Sequence, residues 1–401
     1  MQPMRHIALA TVTVVALAVL TGGITTARSD TAPATTVPAT TVPSTAPAHG
    51  DRTGTDAAEV RTGLDALVRA ADVPGAQLVE TVGGRDTQIA SGVGDLGTGA
   101  AFPDGAAVRI ASNTKAFVAT VVLLLVGEGR IDLDAPVERY LPGVVSGPGG
   151  DGNRITVRDL LQHTSGIPDY LTRIDLGSAD ALRRSHTADA LIRLGLDQPA
   201  AFEPGARAEY SNTNYLLAGR LVEAVTGVAV GVEVARRILI PLELRGTYWP
   251  LHPVENVIRG PHPRGYHQFG DSLVDITDID PGWGLPDGAM VSTGADLNRF
   301  FQALLAGRIL GPAQLEQMRA TVPSGDPRRS DDFGLGLFRR TTSCGTEVWG
   351  HGGAMHGFFV YGAATPERAV TVSMNQLPDI LSLHGAGIDP NDVVDAALCT
   401  P

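Results

Sequence analysis

The chain has 401 residues, 43% of them hydrophobic, and a formal net charge of −12. This composition excludes a disordered or collagen-like chain over most of its length, and the negative charge excludes nucleic-acid binding as the main function. Of its 31 lysine and arginine residues, only Lys115 is a lysine. Arginine replaces lysine wherever only a positive charge is needed, so the surviving lysine predicts a role that requires proton exchange.

The first 27 residues have the pattern of an export signal. Arg5 supplies a positive charge, residues 7–20 are apolar apart from threonine, and Thr25-Thr26-Ala27 offers small residues for cleavage. The alternative is an uncleaved N-terminal anchor, although this run is shorter than the roughly 20 residues of a membrane span. We predict a signal peptide over residues 1–27, cleaved near Ala27, and a secreted or extracytoplasmic, cell-wall-associated protein.

Residues 28–54 are predicted to be a linker. The tract 31–48 is rich in Pro, Thr and Ala and lacks the apolar periodicity of a folded core, so a semi-extended tether and plain disordered filler are equally compatible with it. The folded domain is predicted over residues 55–401.

The folded domain begins and ends with strand patterns and is helical in between. Strands at both ends of the domain predict one sheet assembled from distant segments, with an inserted helical subdomain at about 128–290. Helices are predicted at 59–70, 112–127, 156–162, 187–196, 211–226, 232–240, 294–305, 311–320 and 391–398, and strands at 77–82, 86–93, 108–111, 333–340, 347–349, 357–363 and 369–374, with an irregular stretch after residue 240.

The first candidate catalytic motif is Ser112-Asn113-Thr114-Lys115, where a predicted strand meets a helix. Three residues along a helix place Lys115 on the same face as Ser112, within reach of its hydroxyl. A serine becomes nucleophilic when a neighbour takes its proton, which an uncharged lysine can do and an arginine cannot. The Ser112 N–H, at the helix start, is available to a developing oxyanion.

Two further motifs support this interpretation. Tyr210 and Asn212 are two residues apart before an apolar helix, so their side chains can project to the same side of an extended segment. There the phenol can shuttle a proton, and the amide can hydrogen-bond both the lysine and the substrate. His351-Gly352-Gly353-Ala354 lies between strand patterns, and its glycines allow a substrate to lie against a strand edge. Taken alone, these motifs would be a helix cap with a core tyrosine and a glycine-rich turn.

The chain contains two cysteines, Cys344 and Cys399. In an exported protein an even pair indicates one disulfide, and two buried free thiols are the alternative. The histidines at 252, 262 and 267 have no regular spacing, so they are interpreted as loop residues rather than zinc ligands.

The three motifs, in this order, resemble those of the active-site serine family of penicillin-binding proteins and class C β-lactamases. Actinomycete exported D-alanyl-D-alanine carboxypeptidases and β-lactamase-related esterases look especially similar. Further sequence segments shared with this family lie at 129–137, 160–166 and 288–293, and the resemblance covers roughly residues 60–399. The resemblance implies an α/β (α+β) fold of the β-lactamase/transpeptidase type, with an antiparallel sheet flanked by helices and an inserted helical subdomain.

The resemblance also implies roles for the motif residues. Ser112 would be acylated, Lys115 and Tyr210 would exchange protons, Asn212 would orient the substrate, and His351 would hydrogen-bond or interact electrostatically with it. The N–H groups of Ser112 and Ala354 would form the oxyanion hole. His163 would be a structural turn residue, and Cys344 and Cys399 would be bonded as in similar carboxypeptidases.

The sequence departs from this family in the part that holds a substrate carboxylate. Similar carboxypeptidases have an arginine where this chain has Phe338, and threonines where it has Gly352 and Ala354. Arg340 lies on the same strand face about 7 Å further on and could replace that arginine only if the substrate shifted.

The sequence therefore predicts a monomeric exported serine hydrolase without metal or cofactor, acting on a peptide or ester. The first interpretation is a D-alanyl-D-alanine carboxypeptidase, whose substrate would be a peptidoglycan stem peptide. If the protein is a β-lactamase, the substrate would be a β-lactam. The alternatives are an esterase or amidase whose substrate lacks a free carboxylate, or a non-catalytic penicillin- or cell-wall-binding module.

Overall fold

The computed structural model describes residues 54–251, 255–280, 285–325, 331–378 and 389–399. The predicted signal peptide and all but the last residue of the predicted linker lie outside these ranges. The helices are α1 (Gly54–Ala70), α2 (Thr114–Gly127), α3 (Val157–Leu161), α4 (Ala179–Leu182), α5 (Ala188–Leu196), α6 (Thr213–Thr226), α7 (Val230–Val234), α8 (Leu285–Gly288), α9 (Gly294–Leu305), α10 (Pro312–Arg319) and α11 (Pro390–Leu398). The strands are β1 (Gly75–Val82), β2 (Arg85–Gly92), β3 (Ala107–Arg109), β4 (Tyr266–Phe269), β5 (Ser272–Asp275), β6 (Val291–Thr293), β7 (Val322–Pro323), β8 (Asp332–Phe333), β9 (Phe338–Thr341), β10 (Glu347–Met355), β11 (Phe358–Ala364) and β12 (Arg368–Met374).

Eight strands form one antiparallel sheet in the order β2-β1-β12-β11-β10-β9-β8-β7. The N-terminal hairpin β1–β2 pairs with the C-terminal strand β12, with Leu78 opposite Val372. The two residues of its turn, Gly83 and Gly84, both have positive φ, as a tight hairpin of this twist requires. The predicted single sheet built from both ends of the chain is thereby confirmed.

Helices cover both faces of the sheet. Leu64 and Leu67 of α1 and Val394 of α11 form an apolar cluster with Leu78 on one face. On the other face, the side chain of Val79 packs against Gly294 at the start of α9. Because successive strand residues point to opposite faces, helices on both faces bury β1 on both sides, including its polar residues Gln77 and Glu80.

Helix α2 is buried almost all round, which matches its mainly apolar sequence. Its N-terminus, which follows Ser112 and begins at Thr114, therefore lies deep in the molecule. Helices α3 to α8 fall within the region predicted as a helical subdomain.

The structure corrects three of the predicted elements. The predicted strand 333–340 is interrupted by a tight turn, in which the Gly334 N–H donates to the Leu337 carbonyl and Gly336 has φ of 75°. The predicted irregular stretch after residue 240 contains the β4–β5 hairpin and β6, which pairs with β3. The strand predicted at 347–349 continues to Met355, so the glycines of the third motif belong to a strand rather than a turn.

Within the described ranges, no single helix is both long and apolar enough to cross a membrane. One pair, Thr213–Thr226 with Val230–Leu239, satisfies the length and composition together but is bent by 78°.

Candidate active site

Ser112 lies on a sharp turn between β3 and α2. The turn is a 3-10 segment, Ala111–Asn113, in which Ala111 has φ of 45°, an unfavourable conformation for a residue with a side chain. The Asn113 amide holds this turn by donating to the carbonyls of Ile110, at 3.0 Å, and Val360 of β11, at 3.3 Å. The half-buried Ser112 side chain is thus presented from a rigid backbone.

Lys115 is fully buried and lies one helical turn from Ser112, as predicted. Its Nζ donates to Ser112 Oγ at 3.0 Å, to Asn212 Oδ1 at 2.7 Å and to the main-chain oxygen of Asp287 at 2.7 Å. An ammonium group has three donors. All three protons of the charged lysine are therefore used, and one of them joins it to the candidate nucleophile.

Tyr210 and Asn212 meet at the same lysine. The Tyr210 ring centroid lies 5.1 Å from Lys115 Nζ, and the Asn212 amide nitrogen donates to Asp169 Oδ2 at 2.7 Å. That second bond orients the Asn212 side chain so that its oxygen faces Lys115. The first two predicted motifs, 97 residues apart at Lys115 and Asn212, thus form one hydrogen-bonded group.

The imidazole of His163 packs against the ring of Tyr210. Its ring centroid lies 4.3 Å from that of Tyr210, and its Nδ1 accepts from the Ser211 N–H at 3.2 Å. The residue is buried and has φ of 60°. This geometry fits the predicted structural role of His163.

The third motif lies along β10, whose edge borders the serine turn. Pairing with β9 ends at Gly350 opposite Phe338, whereas pairing with β11 continues to Met355. Gly353 is required here because a Cβ atom at this position would lie 2.1 Å from the Ile110 carbonyl oxygen. The close approach brings Ala354 beside the turn that carries Ser112.

Phe338 occupies the position at which the resemblance implies an arginine. Its buried ring stacks on the imidazole of His351, with centroids 4.1 Å apart, and its centroid lies 6.3 Å from that of Tyr210. This side of the site is consequently an aromatic surface, to which Phe338 brings no charge.

Arg340 lies two residues further along β9, as predicted, but its charge is already engaged. Its Nη1 pairs with Asp395 Oδ1 of α11 at 2.6 Å, and its Nε donates to the Tyr361 hydroxyl at 2.8 Å. The side chain is 7% exposed. Arg340 borders the same cavity as Ser112, but it is bound to a carboxylate of this chain.

The cavity at the site has a volume of about 600 Å³. Ser112, Tyr210, Asn212, Phe338 and His351 line its polar and aromatic part. An apolar wall comes mainly from the helical region, and its residues are Leu171, Leu176, Leu182, Ile279 and Met355.

Three residues of the site were missed by the sequence analysis: Asp169, Tyr170 and Asp287. Burial raises the pKa of Asp287 to about 7, although the positive charge of Lys115 opposes the shift. Asp169 and Tyr170 follow the family-like segment at 160–166, and Asp287 directly precedes the family-like segment at 288–293. That proximity was the available signal, but nothing local showed that Asn212 and Asp287 connect these residues to Lys115.

The predicted disulfide is present and joins Cys344 to Cys399. It ties the end of α11 to the turn before β10.

A family model described as Beta-lactamase matches residues 60–379. Among curated proteins, Penicillin-binding protein 4 of Amycolatopsis lactamdurans is 29% identical over 326 residues, covering 78% of this chain and 82% of that protein. Among solved structures, a D-stereospecific amidohydrolase from Streptomyces sp. is 35% identical with a TM-score of 0.76, covering 85% of this chain and 98% of that one. A D-amino acid amidase from Ochrobactrum anthropi SV3, complexed with L-phenylalanine amide, is 29% identical with a TM-score of 0.74. The match covers 86% of this chain and 98% of the amidase chain.

Proposed function

This chain belongs to the beta-lactamase family of serine hydrolases, and from that premise we propose that it is an amidase acting through an acyl-enzyme on Ser112. The observation that carries the mechanism is the 3.0 Å contact between Lys115 Nζ and Ser112 Oγ. A buried lysine that touches a serine hydroxyl is suited to accept its proton once the amine is uncharged.

In the proposed reaction, Ser112 Oγ forms a bond to the amide carbon while its proton passes to Lys115 Nζ. The oxyanion is bound by the N–H groups of Ser112 and Ala354. Collapse breaks the carbon–nitrogen bond, and Tyr210, in exchange with Lys115, protonates the leaving amine. Water then hydrolyses the ester to free Ser112. Asn212 orients the substrate, and His351 borders the leaving-group side.

The chemistry around Phe338 favours a substrate without a free carboxylate at the leaving group. The stacked pair of Phe338 and His351 offers an aromatic surface where a carboxylate would need a cation, and Arg340 is paired with Asp395. Burying an unpaired carboxylate there would be costly. The names of the structural neighbours point in the same direction, since they describe an amidohydrolase and an amidase of D-amino acids.

The apolar wall of the cavity supports an apolar acyl side chain. Leu171, Leu182 and Ile279 line the same cavity as Ser112, and an aliphatic or aromatic group in contact with them would be removed from water. We therefore propose the amide of an apolar D-amino acid as the substrate. The predicted leader further supports the proposal that this activity is exported.

D-alanyl-D-alanine carboxypeptidase is the second candidate. It is favoured by the similarity to a penicillin-binding protein and by Arg340, a cation that borders the cavity. A shift of the substrate towards β9 would be required.

A side-by-side turnover assay tests these proposals. Purified protein is incubated with D-phenylalanine amide, a D-Ala-D-Ala peptide, a short-chain aryl ester and a cephalosporin, and Ser112→Ala is the matched control. We expect D-phenylalanine amide to have a higher kcat/KM than the D-Ala-D-Ala peptide. Ser112→Ala should lose all turnover. Faster cleavage of the D-Ala-D-Ala peptide would replace the amidase proposal with the carboxypeptidase. Labelling by a fluorescent penicillin without turnover of any substrate would identify a binding module.

A further inference from the structure

A buried carboxylic acid that the proposed chemistry does not use lies beside the catalytic lysine. Asp287, in the short helix α8, is 4% exposed, and its main-chain oxygen accepts a hydrogen bond from Lys115 Nζ at 2.7 Å. The same residue borders the cavity that contains Ser112. Its side chain is therefore held close to the only lysine in the chain.

The Asp287 carboxyl group has few of the contacts that stabilise a negative charge. Oδ2 accepts from the Tyr170 hydroxyl at 3.0 Å, while Oδ1 has no hydrogen-bond partner among the residues that the structure describes. Desolvation disfavours the ionised form, and it raises the pKa of Asp287 to about 7. Asp287 thus changes its charge in the neutral pH range.

The charged and titratable groups around Asp287 come from three segments. Lys115 of α2 favours the ionised carboxylate, and so does the hydrogen bond from Tyr170 of the 3-10 helix Tyr170–Arg173. Asp169, which precedes that helix, opposes it by like-charge repulsion. The Tyr210 ring centroid lies 5.1 Å from Lys115 Nζ. Lys115 is therefore the one cation in this described group, and Asp169 is the acid that repels the Asp287 carboxylate.

We propose that Asp287 is a positioning residue acting through Lys115: its ionised carboxylate holds the lysine in the ammonium form, and loss of that charge frees the amine to accept the Ser112 proton. A negative charge next to Lys115 stabilises the ammonium, which has no capacity to take a further proton. A neutral side chain at position 287 lacks that attraction, so removal of a proton from Lys115 costs less free energy. The inference rests on the proposed roles of Ser112 and Lys115 but not on the identity of the substrate.

The test is the pH dependence of kcat/KM, measured with p-nitrophenyl acetate because this ester has no ionisable group in the range used. The acidic limb of the profile reports the loss of a proton from the free enzyme's base. In Asp287→Asn, which retains size and hydrogen bonding, we expect this limb to move to lower pH by about one unit. A limb that coincides with that of the wild type, or moves to higher pH, would overturn the proposal.

A second variant guards against a folding defect in Asp287→Asn. Tyr170→Phe removes the hydrogen bond that stabilises the ionised carboxylate, so Asp287 would be neutral over a wider pH range. We expect a smaller shift in the same direction. An unmoved limb in a folded Tyr170→Phe protein would also contradict the proposal.

The matched control is Asp296→Asn. Asp296 is another buried acid whose pKa is raised by burial, but it lies at the start of α9, where it accepts from the Gly246 N–H and the Thr247 hydroxyl. Its replacement should leave the acidic limb in place. D-phenylalanine amide is assayed in parallel: an enzyme that cleaves the ester but not the amide would refute the amidase proposal, while the ester profiles would still decide the role of Asp287.

Discussion

The phenyl ring of Phe338 lies nearly parallel to the imidazole of His351, with ring centroids 4.1 Å apart and planes inclined by 27°. The two residues belong to neighbouring strands, and the contact covers the start of the third motif with an apolar surface. Under the proposed function, substrate choice depends on this contact.

Replacing Phe338 by arginine should restore recognition of a substrate carboxylate. A charge-assisted hydrogen bond is worth about 1.5–3 kcal/mol, so Phe338→Arg should raise the kcat/KM ratio of a D-Ala-D-Ala peptide over its C-terminal amide by about tenfold or more. Phe338→Leu, which removes the ring without adding a charge, serves as control and should leave that ratio unchanged. Equal ratios in the two variants would show that Phe338 does not decide carboxylate recognition.

Replacing Lys115 by arginine should prevent acylation although the positive charge is retained. Arginine does not accept a proton at accessible pH, and a positioned general base contributes about 100-fold or more to the rate. The rate of labelling by a fluorescent penicillin measures this step directly. The reverse exchange at an exposed site, Arg245→Lys, controls for the change of residue type and should label like the wild type. Appreciable labelling of Lys115→Arg would exclude lysine as the proton acceptor.

Asp169 should affect the rate through Asn212. Its carboxylate accepts from the Asn212 amide nitrogen, which leaves the amide oxygen facing Lys115. Asp169→Asn allows the Asn212 side chain to reverse, so we expect kcat to fall about tenfold while KM changes less. Asp175→Asn, a nearby acid on the surface, should match the wild type. A change confined to KM would instead place Asp169 in substrate binding.

The disulfide should stabilise the folded state without taking part in the reaction. Cys344 and Cys399 are 55 residues apart, and closing a loop of this length is worth about 4 kcal/mol in the chain-entropy model. The free energy of unfolding of the double variant Cys344→Ala, Cys399→Ala should fall by that order in urea titrations. Reductant should lower the free energy of unfolding of the wild type to that of the double variant, and it should leave the stability of the double variant unchanged. Equal stability of both proteins without reductant would contradict this expectation.

Much of the fold was predictable because its signals are local. The apolar period of α1, the Gly83-Gly84 turn and the mainly apolar α2 each depend on neighbouring residues. The prediction failed where distant contacts decide the backbone. Residues 351–355 form a strand because β11 pairs with them, and a glycine-rich segment has no local preference that would reveal this.

The sequence by itself determined the family, the antiparallel sheet formed by both ends of the chain, and the group of Ser112, Lys115, Tyr210 and Asn212, since each motif has a recognisable local spacing. Only the tertiary structure decided how that group is surrounded. Asp287 lies 172 residues from Lys115, and its charge depends on how much water the packing removes from it. Desolvation and contact between distant segments are properties of the folded packing, which no local pattern of residues encodes.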